Sequence, residues 1–224
     1  MAHRAREVIQ EARRGIAPAE ERIRRHPYLQ ALEARQVDRG KLVIFAGQQR
    51  HIIESDLRSV ALIVARCGSP TPREFFMGML QGEHAAHQAL EAFGRALGFP
   101  SEPFGAAEPL PGAFAYSAFV AWLALYGSVA EFAGAFLVNL EAWGATCARM
   151  SRALRDGYGL TQADGAFFEL FAAPPAGFEE RGLAVVEEGL VQGVEPACIR
   201  RAARLLQGYE LLYWDTMLEA AEAR

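Results

Sequence analysis

Apolar residues recur along this chain at three- and four-residue intervals almost throughout, and no run alternates β-branched and polar positions between hairpin turns. The pattern predicts an all-α protein. A first amphipathic region covers residues 3–35, with breaks expected near 15–18 and at His26-Pro27, where proline restricts the residue before it. Asp38 reads as the N-cap of a long helix reaching about Cys67, with Leu42, Phe45, Ile52, Ile53, Leu57, Val60 and Val64 on its apolar side. Gly68, Pro70 and Pro72 stop it. Further helices are expected over about 72–97, ending at Gly98, then 112–126, 129–156, 161–173, 176–192 and 196–222. The connection FPSEPFGAAEPLPG is long enough to cross a bundle. These elements make a compact seven- to eight-helix bundle in one domain, 1–224, with 1–20 as a loosely attached N-terminal helix.

Between Glu108 and Glu131 there is no charge at all. The helix available there runs from Pro111 to about Gly127 and would span roughly 22 Å at ~1.5 Å per residue, short of a ~30 Å hydrocarbon core. A fully buried core helix, not a membrane span, is the expectation. The helix over 129–156 carries only Glu131 and Glu141 before Arg149, which places it at the centre of the bundle.

Composition adds limits to this picture. The 224 residues are 51% hydrophobic, enough for a substantial core, and the net charge of -4 disfavours nucleic acid as a partner. Basic residues are 22 arginines and one lysine, Lys41, with no cluster interleaved with aromatics. Cys67, Cys147 and Cys198 are scattered and include no Cys-x-x-Cys pair, so neither a disulfide framework nor a zinc site is indicated. The charged N-terminus lacks the apolar core of a secretory signal, and a cytoplasmic protein is expected.

Candidate chemistry comes from polar residues on apolar helix faces. In the last helix Leu206, Glu210, Trp214 and Met217 fall on one stripe, so Glu210 stands in an apolar lane. Desolvation there raises a carboxyl pKa towards the range useful for proton transfer; a structural carboxylate paired with an arginine is the alternative. Tyr116 shares a face with Phe119, Val120 and Leu123. Asn139 lies with Phe136, Ala142 and Trp143, and Glu141 lies further round the same helix. Each is either a ligand-facing group or a core hydrogen bond. In QGEHAAH, Glu83, His84 and His87 have the spacing of a helical metal-ligand pair, against which stands a solvent-facing Glu-His pair. Gln48, Gln49 and His51 interrupt the apolar pattern of the long second helix, and Gln49 with Ile52, Ile53 and Asp56 either lines a cleft or forms a helix shoulder. Phosphate-binding glycine loops and nucleophile elbows are absent.

The phrases RHPYLQAL, VDRGKL, GEHAAHQAL, AYSAFVAWLALYG, SVAEFAGAFLVNLEAW and GYELLYWDTM, in that order over residues 20–220, resemble the heme-oxygenase-like superfamily. Its members include thiaminase II (TenA-like) enzymes, the cofactorless oxidase of pyrroloquinoline quinone synthesis, and heme-oxygenase-like di-iron oxidases. The resemblance implies a helical bundle with an enclosed central site, and a homodimer. Against the thiaminase pattern, Glu210 stands at the catalytic glutamate and Tyr116 at a pocket tyrosine. Asn139 stands at the nucleophilic cysteine, Gln49 at the substrate-binding aspartate, and Ile52 and Trp143 where pocket tyrosines are usual. Asparagine supplies no thiolate.

Against the di-iron pattern, His87 and Glu141 match ligands, whereas Leu80, Phe171, Pro175 and Phe178 occupy the other four places. Two ligands do not assemble a dinuclear site, so no metal and no cofactor are expected. The basic active site of the cofactorless oxidase branch is not evident. What remains is a pocket for a small, flat organic molecule, with Glu210 and Tyr116 as catalytic residues and Gln49, Ile52, His87, Asn139, Glu141, Trp143, Phe171 and Trp214 as its binding residues. The leading expectation is a metal-independent enzyme of cofactor or secondary metabolism, with oxidoreductase chemistry ahead of hydrolysis. Aminopyrimidine or thiamin salvage with an altered nucleophile, and a non-catalytic binding protein on the same scaffold, are the alternatives. Heme held by His26 or His87 stands behind both.

Overall fold

A computed structural model describes residues 3–98 and 107–223. Among them are seven helices of fourteen residues or more: α1 (His3–Arg24), α3 (Leu42–Arg66), α4 (Pro70–Ala96), α5 (Pro111–Tyr126), α6 (Val129–Tyr158), α8 (Phe178–Val191) and α9 (Pro196–Glu222). Two seven-residue helices, α2 (Pro27–Glu33) and α7 (Ala166–Ala172), complete the set. No strand occurs among the described residues. The all-α expectation holds, and the expected element boundaries fall within a few residues of these. The bundle-crossing connection lies for the most part at 99–106, outside the described residues.

Local chemistry accounts for the helix ends. Ser128 and Glu131 form a reciprocal capping box at the start of α6, with Ser128 Oγ accepting from the Glu131 amide (3.1 Å) and Glu131 Oε2 from the Ser128 amide (2.8 Å). Gly159, at φ 67, closes α6 in the left-handed conformation. Asp38 caps a short 3₁₀ turn, Arg39–Lys41, that leads into α3. At the far end of α3, Arg66 donates to the carbonyls of Ala124 (2.5 Å) and Gly127 (2.8 Å), satisfying the free C-terminus of α5.

The chain corrects two readings. The break expected near 15–18 does not occur: α1 continues through Gly15 and Pro18. The N-terminal helix is not loosely attached, because Ala5, Val8, Ile9, Ala12, Ile16 and Ile23 are all buried and α1 packs against α9, α6 and α8. That apolar stripe offsets the hydrogen bond lost at Pro18. The uncharged α5 is only partly a core helix. Ala113, Tyr116, Phe119, Val120 and Leu123 face inward, but Phe114, Trp122, Leu125 and Tyr126 are exposed. No described helix is long and apolar enough to cross a membrane.

α6 runs through the centre, and small residues let its neighbours come close. A Cβ on Gly134 would stand 2.4 Å from Ile199 of α9, and one on Gly144 would stand 2.7 Å from the carbonyl oxygen of Phe171 at the end of α7. The second contact is with backbone, which cannot swing away. Gly144→Ala is therefore expected to lower stability by about 1–3 kcal/mol. Gly15→Ala, in an exposed helix position with open space around it, is expected to raise it by about 0.5–1 kcal/mol. Urea midpoints of the two variants check both signs.

Candidate functional site

Where α3, α4, α5, α6 and α9 converge, they enclose an inner chamber of about 40 Å³, with α7 closing one side. α3 contributes Gln49, Ile52, Ile53 and Asp56; α4 contributes Glu83; α5 contributes Tyr116. α6 contributes Phe136, Asn139, Leu140 and Trp143, α7 contributes Phe171, and α9 contributes Glu210 and Tyr213. A wider outer chamber of about 360 Å³ lies between α4 and the α7–α8 segment and shares Glu83, Leu140 and Phe171 with the inner one. Among the described residues no lysine, arginine or histidine lines the inner chamber.

Glu210 occupies the position its helical lane predicted, 3% exposed between Leu206 and Trp214. Among the described residues no arginine forms a salt bridge with it. Instead Oε2 accepts from Asn139 Nδ2 (2.5 Å) and Gln207 Nε2 (3.2 Å), and Oε1 accepts from Trp214 Nε1 (3.2 Å). Burial pushes its pKa up to about 8, against the three hydrogen bonds, which lower it. Tyr116 Oη donates to Asn139 Oδ1 (3.1 Å), so Asn139 links the tyrosine to the carboxyl. Burial raises the Tyr116 pKa, and so do the fields of Asp56, Glu210 and Glu83, which line the same chamber.

Asp56 and Glu83 form a second acidic centre. Asp56 is 4% exposed, and its Oδ1 has no hydrogen-bond partner among the described residues. Burial, and then the neighbouring Glu83, hold the Asp56 pKa well above the usual carboxylate range; burial pushes Glu83 up to about 7. Sequence reasoning grouped Asp56 with Gln49 but assigned Glu83 to a pair with His87. The missed signal is the lane Phe76, Met79, Glu83, Ala86, Leu90 and Phe93 of α4, whose other members are all buried. It is the same signature that exposed Glu210. Tyr213, Phe136 and Leu140 were also missed, because on densely apolar helices periodicity cannot separate a cavity wall from ordinary core.

Of the residues proposed from sequence to bind a ligand, Gln49, Ile52, Asn139, Trp143 and Phe171 line the inner chamber. Three expected binding residues do not. Glu141 is exposed and pairs with Arg13 (3.1 Å) and Arg24 (3.7 Å) of α1, since its position on α6 faces that helix. His87 lies between Glu54 (3.9 Å) and Glu91 (3.8 Å), one helix turn past Glu83 and outside the chamber. Trp214 is fully buried behind the chamber wall, where it holds Glu210 and packs on Trp143 at 5.7 Å between ring centroids. Gln48 and His51 bind the backbone of Glu108, Leu110 and Ala107, fixing the approach to α5.

This geometry does not fit a di-iron centre. His87 and Glu141 point elsewhere, Leu80, Phe171 and Phe178 are apolar, and among the described residues no three His, Cys, Asp or Glu side chains are grouped to hold a metal ion. His26, the other histidine weighed for heme, is buried with Nδ1 accepting from the Tyr28 amide and Nε2 on Asp215 (3.1 Å). Cys147, two turns beyond Asn139 on α6, is buried. Its thiol pKa is raised by burial and by Glu210, so it is not poised as a thiolate.

The model of the TENA/THI-4/PQQC family matches residues 14–220. Among solved structures, a TenA homologue from Pseudomonas syringae aligns with a TM-score of 0.79 at 13% identity, covering 94% of this chain and 92% of the other. A TenA homologue from P. horikoshii aligns at 0.77 and 16%, covering 95% and 99%. A domain of unknown function with a heme-oxygenase-like fold from Shewanella denitrificans aligns at 0.76 and 14%, covering 94% and 91%. No curated protein matches the chain in sequence.

A carboxyl whose pKa is higher folded than unfolded contributes stability that is complete below its unfolded pKa and is lost as pH rises through its folded one. For Glu210 the window runs from about 4.5 to about 8, and its share of the loss is on the order of 5 kcal/mol. Glu210→Gln is expected to flatten the fall. Urea midpoints of both proteins at pH 5 and pH 8 measure it, and parallel declines would contradict the assignment.

Proposed function

We infer that this chain, which belongs to the TENA/THI-4/PQQC family, is a metal-independent enzyme of cofactor or secondary metabolism that performs acid–base chemistry on a small organic molecule. Glu210 is its proton-transfer residue, and Tyr116 and Asn139 position the substrate and Glu210. The observation that supports this is the Glu210 carboxyl: buried against an aromatic wall, held by three neutral donors and raised in pKa to about 8. Such tuning is what proton transfer near neutral pH requires.

The protonation state also orders the reaction classes. A carboxyl that keeps its proton at neutral pH is a ready donor to a leaving group, as hydrolysis needs. It is a poor acceptor for the proton that oxidation of an organic substrate removes from carbon. Hydrolysis therefore stands ahead of the oxidoreductase reading favoured by sequence alone. In that reaction water adds its oxygen to the substrate carbon, the Glu210 proton departs with the leaving group, and the proton released by water restores Glu210. A thiolate step of thiaminase type finds no support, because Asn139 occupies the nucleophile position and Cys147 is a buried, high-pKa thiol.

Thiamin and aminopyrimidine analogues are the first probes, with products detected by mass spectrometry. Glu210→Gln is expected to lower turnover about 10²- to 10⁴-fold, and Cys147→Ala to leave it unchanged. The wild-type rate should fall as pH rises through about 8, where Glu210 loses its proton. Wild-type turnover in Glu210→Gln would remove the assignment. A homodimer is part of the same proposal, with the exposed Trp122, Leu125 and Tyr126 of α5 as its apolar contact. Sedimentation equilibrium should give twice the chain mass for the wild type and the monomer mass for a Trp122→Glu/Tyr126→Glu variant.

A further inference from the structure

The two chambers differ in chemistry, and they meet. The inner one is narrow, about 40 Å³, and acidic, with Asp56, Glu83 and Glu210 in its wall and, among the described residues, no cationic side chain. The outer one is about 360 Å³ and lined mainly by apolar groups, among them Phe75, Met79, Leu170 and Phe178. Glu83, Leu140 and Phe171 belong to both walls, so the two chambers lie side by side with only these side chains between them.

Two polar atoms of the inner chamber's lining residues, Asp56 Oδ1 and Tyr213 Oη, have no hydrogen-bond partner among the described residues, and Asp56 is the acidic one. Asp56 is 4% exposed and lines the inner chamber, yet its Oδ1 has no hydrogen-bond partner among the described residues. A buried acceptor without a donor costs free energy, and here the missing donor has to come from the chamber itself. The neighbouring Glu83 adds a second carboxyl, and the groups whose fields reach Tyr116 beside them, Asp56, Glu210 and Glu83, are all acidic. An anionic ligand head would raise these carboxyl pKa values further and gain no partner, whereas a protonated nitrogen supplies a donor to Asp56 Oδ1 and favours the ionised form of the carboxyls around it.

We propose that the site takes an amphiphilic amine, whose protonated nitrogen seats between Asp56 and Glu83 in the inner chamber and whose apolar body fills the outer chamber between α4 and the α7–α8 segment. This rests on the reading of the inner chamber as the reaction site and names the class of molecule that enters it. The outer chamber then sets specificity through the length and shape of the apolar body, and the inner chamber through charge. Gly78 and Gly82 contribute to this selection: both line the outer chamber, and a Cβ at either would meet nothing within 4 Å, so the space they leave is open to a ligand.

Calorimetric titration of the full chain at pH 7 with butylamine, hexylamine, octylamine, octanoate and octanol tests the proposal. Affinity should rise about threefold per added methylene through the amine series, and octanoate should bind at least tenfold more weakly than octylamine. Glu83→Gln should cost octylamine at least tenfold and leave octanol unchanged. Gly78→Leu, which fills the outer chamber from a position with open space, should abolish the dependence on chain length while sparing butylamine. Octanoate binding as tightly as octylamine, affinity independent of chain length, or no binding of any amine would each overturn it. Loss of this inference with Glu210-dependent turnover intact leaves the acid–base reading standing. Amine binding as described, with turnover indifferent to Glu210→Gln, removes that reading instead.

Discussion

The interaction on which the site depends is a carboxyl buried without a counter-charge. Glu210 is enclosed by α9, α6 and the aromatic side chains around them, and three neutral donors take the place of an arginine. Taking a carboxylate out of water is expensive, and neutral hydrogen bonds return only part of that cost, so the group keeps its proton into the neutral range. That one balance is what supports Glu210 as the proton donor of the proposed reaction. It also requires Asn139 and Gln207 to be amides rather than apolar residues, and it turns Trp214 from a pocket wall into a support.

Asn139 shows how the scaffold has been adapted. In the thiaminase pattern that the sequence resembles, this position carries a cysteine. Here the amide accepts from Tyr116 and donates to Glu210, so nucleophile chemistry is replaced by a fixed hydrogen-bonded chain. Gln49, at the position of an aspartate in that pattern, likewise removes a carboxyl from one end of the chamber, while Asp56, two turns further along α3, places one at the other. Acidic character has been kept and relocated.

The slender centre of the bundle sets the chamber's size. Glycines on α6 let α9 and the end of α7 approach its backbone, and Phe171 is thereby held against Trp143 at 5.9 Å between centroids, forming the partition between the two chambers. Side chains larger than hydrogen at these glycines would move a wall of the site as well as a packing contact.

The helical period and the breakers determined the fold class, the element order and most boundaries, because those depend on local spacing and backbone chemistry. Glu210 was legible as a polar residue in an apolar lane, and Glu83 stood in a lane of the same kind on α4. The neighbouring QGEHAAH pattern obscured it. What sequence spacing left open was orientation across helices. Glu141 and Asn139 are two residues apart on α6, about 200° around the helix, so one meets the arginines of α1 and the other meets Glu210. His87 and Glu83 are one turn apart, yet only Glu83 reaches the chamber. Those outcomes follow from which helices pack on which faces. The coupling of Asp56 to Glu83, on separate helices, and the raised pKa values exist only once tertiary packing has excluded water from between them.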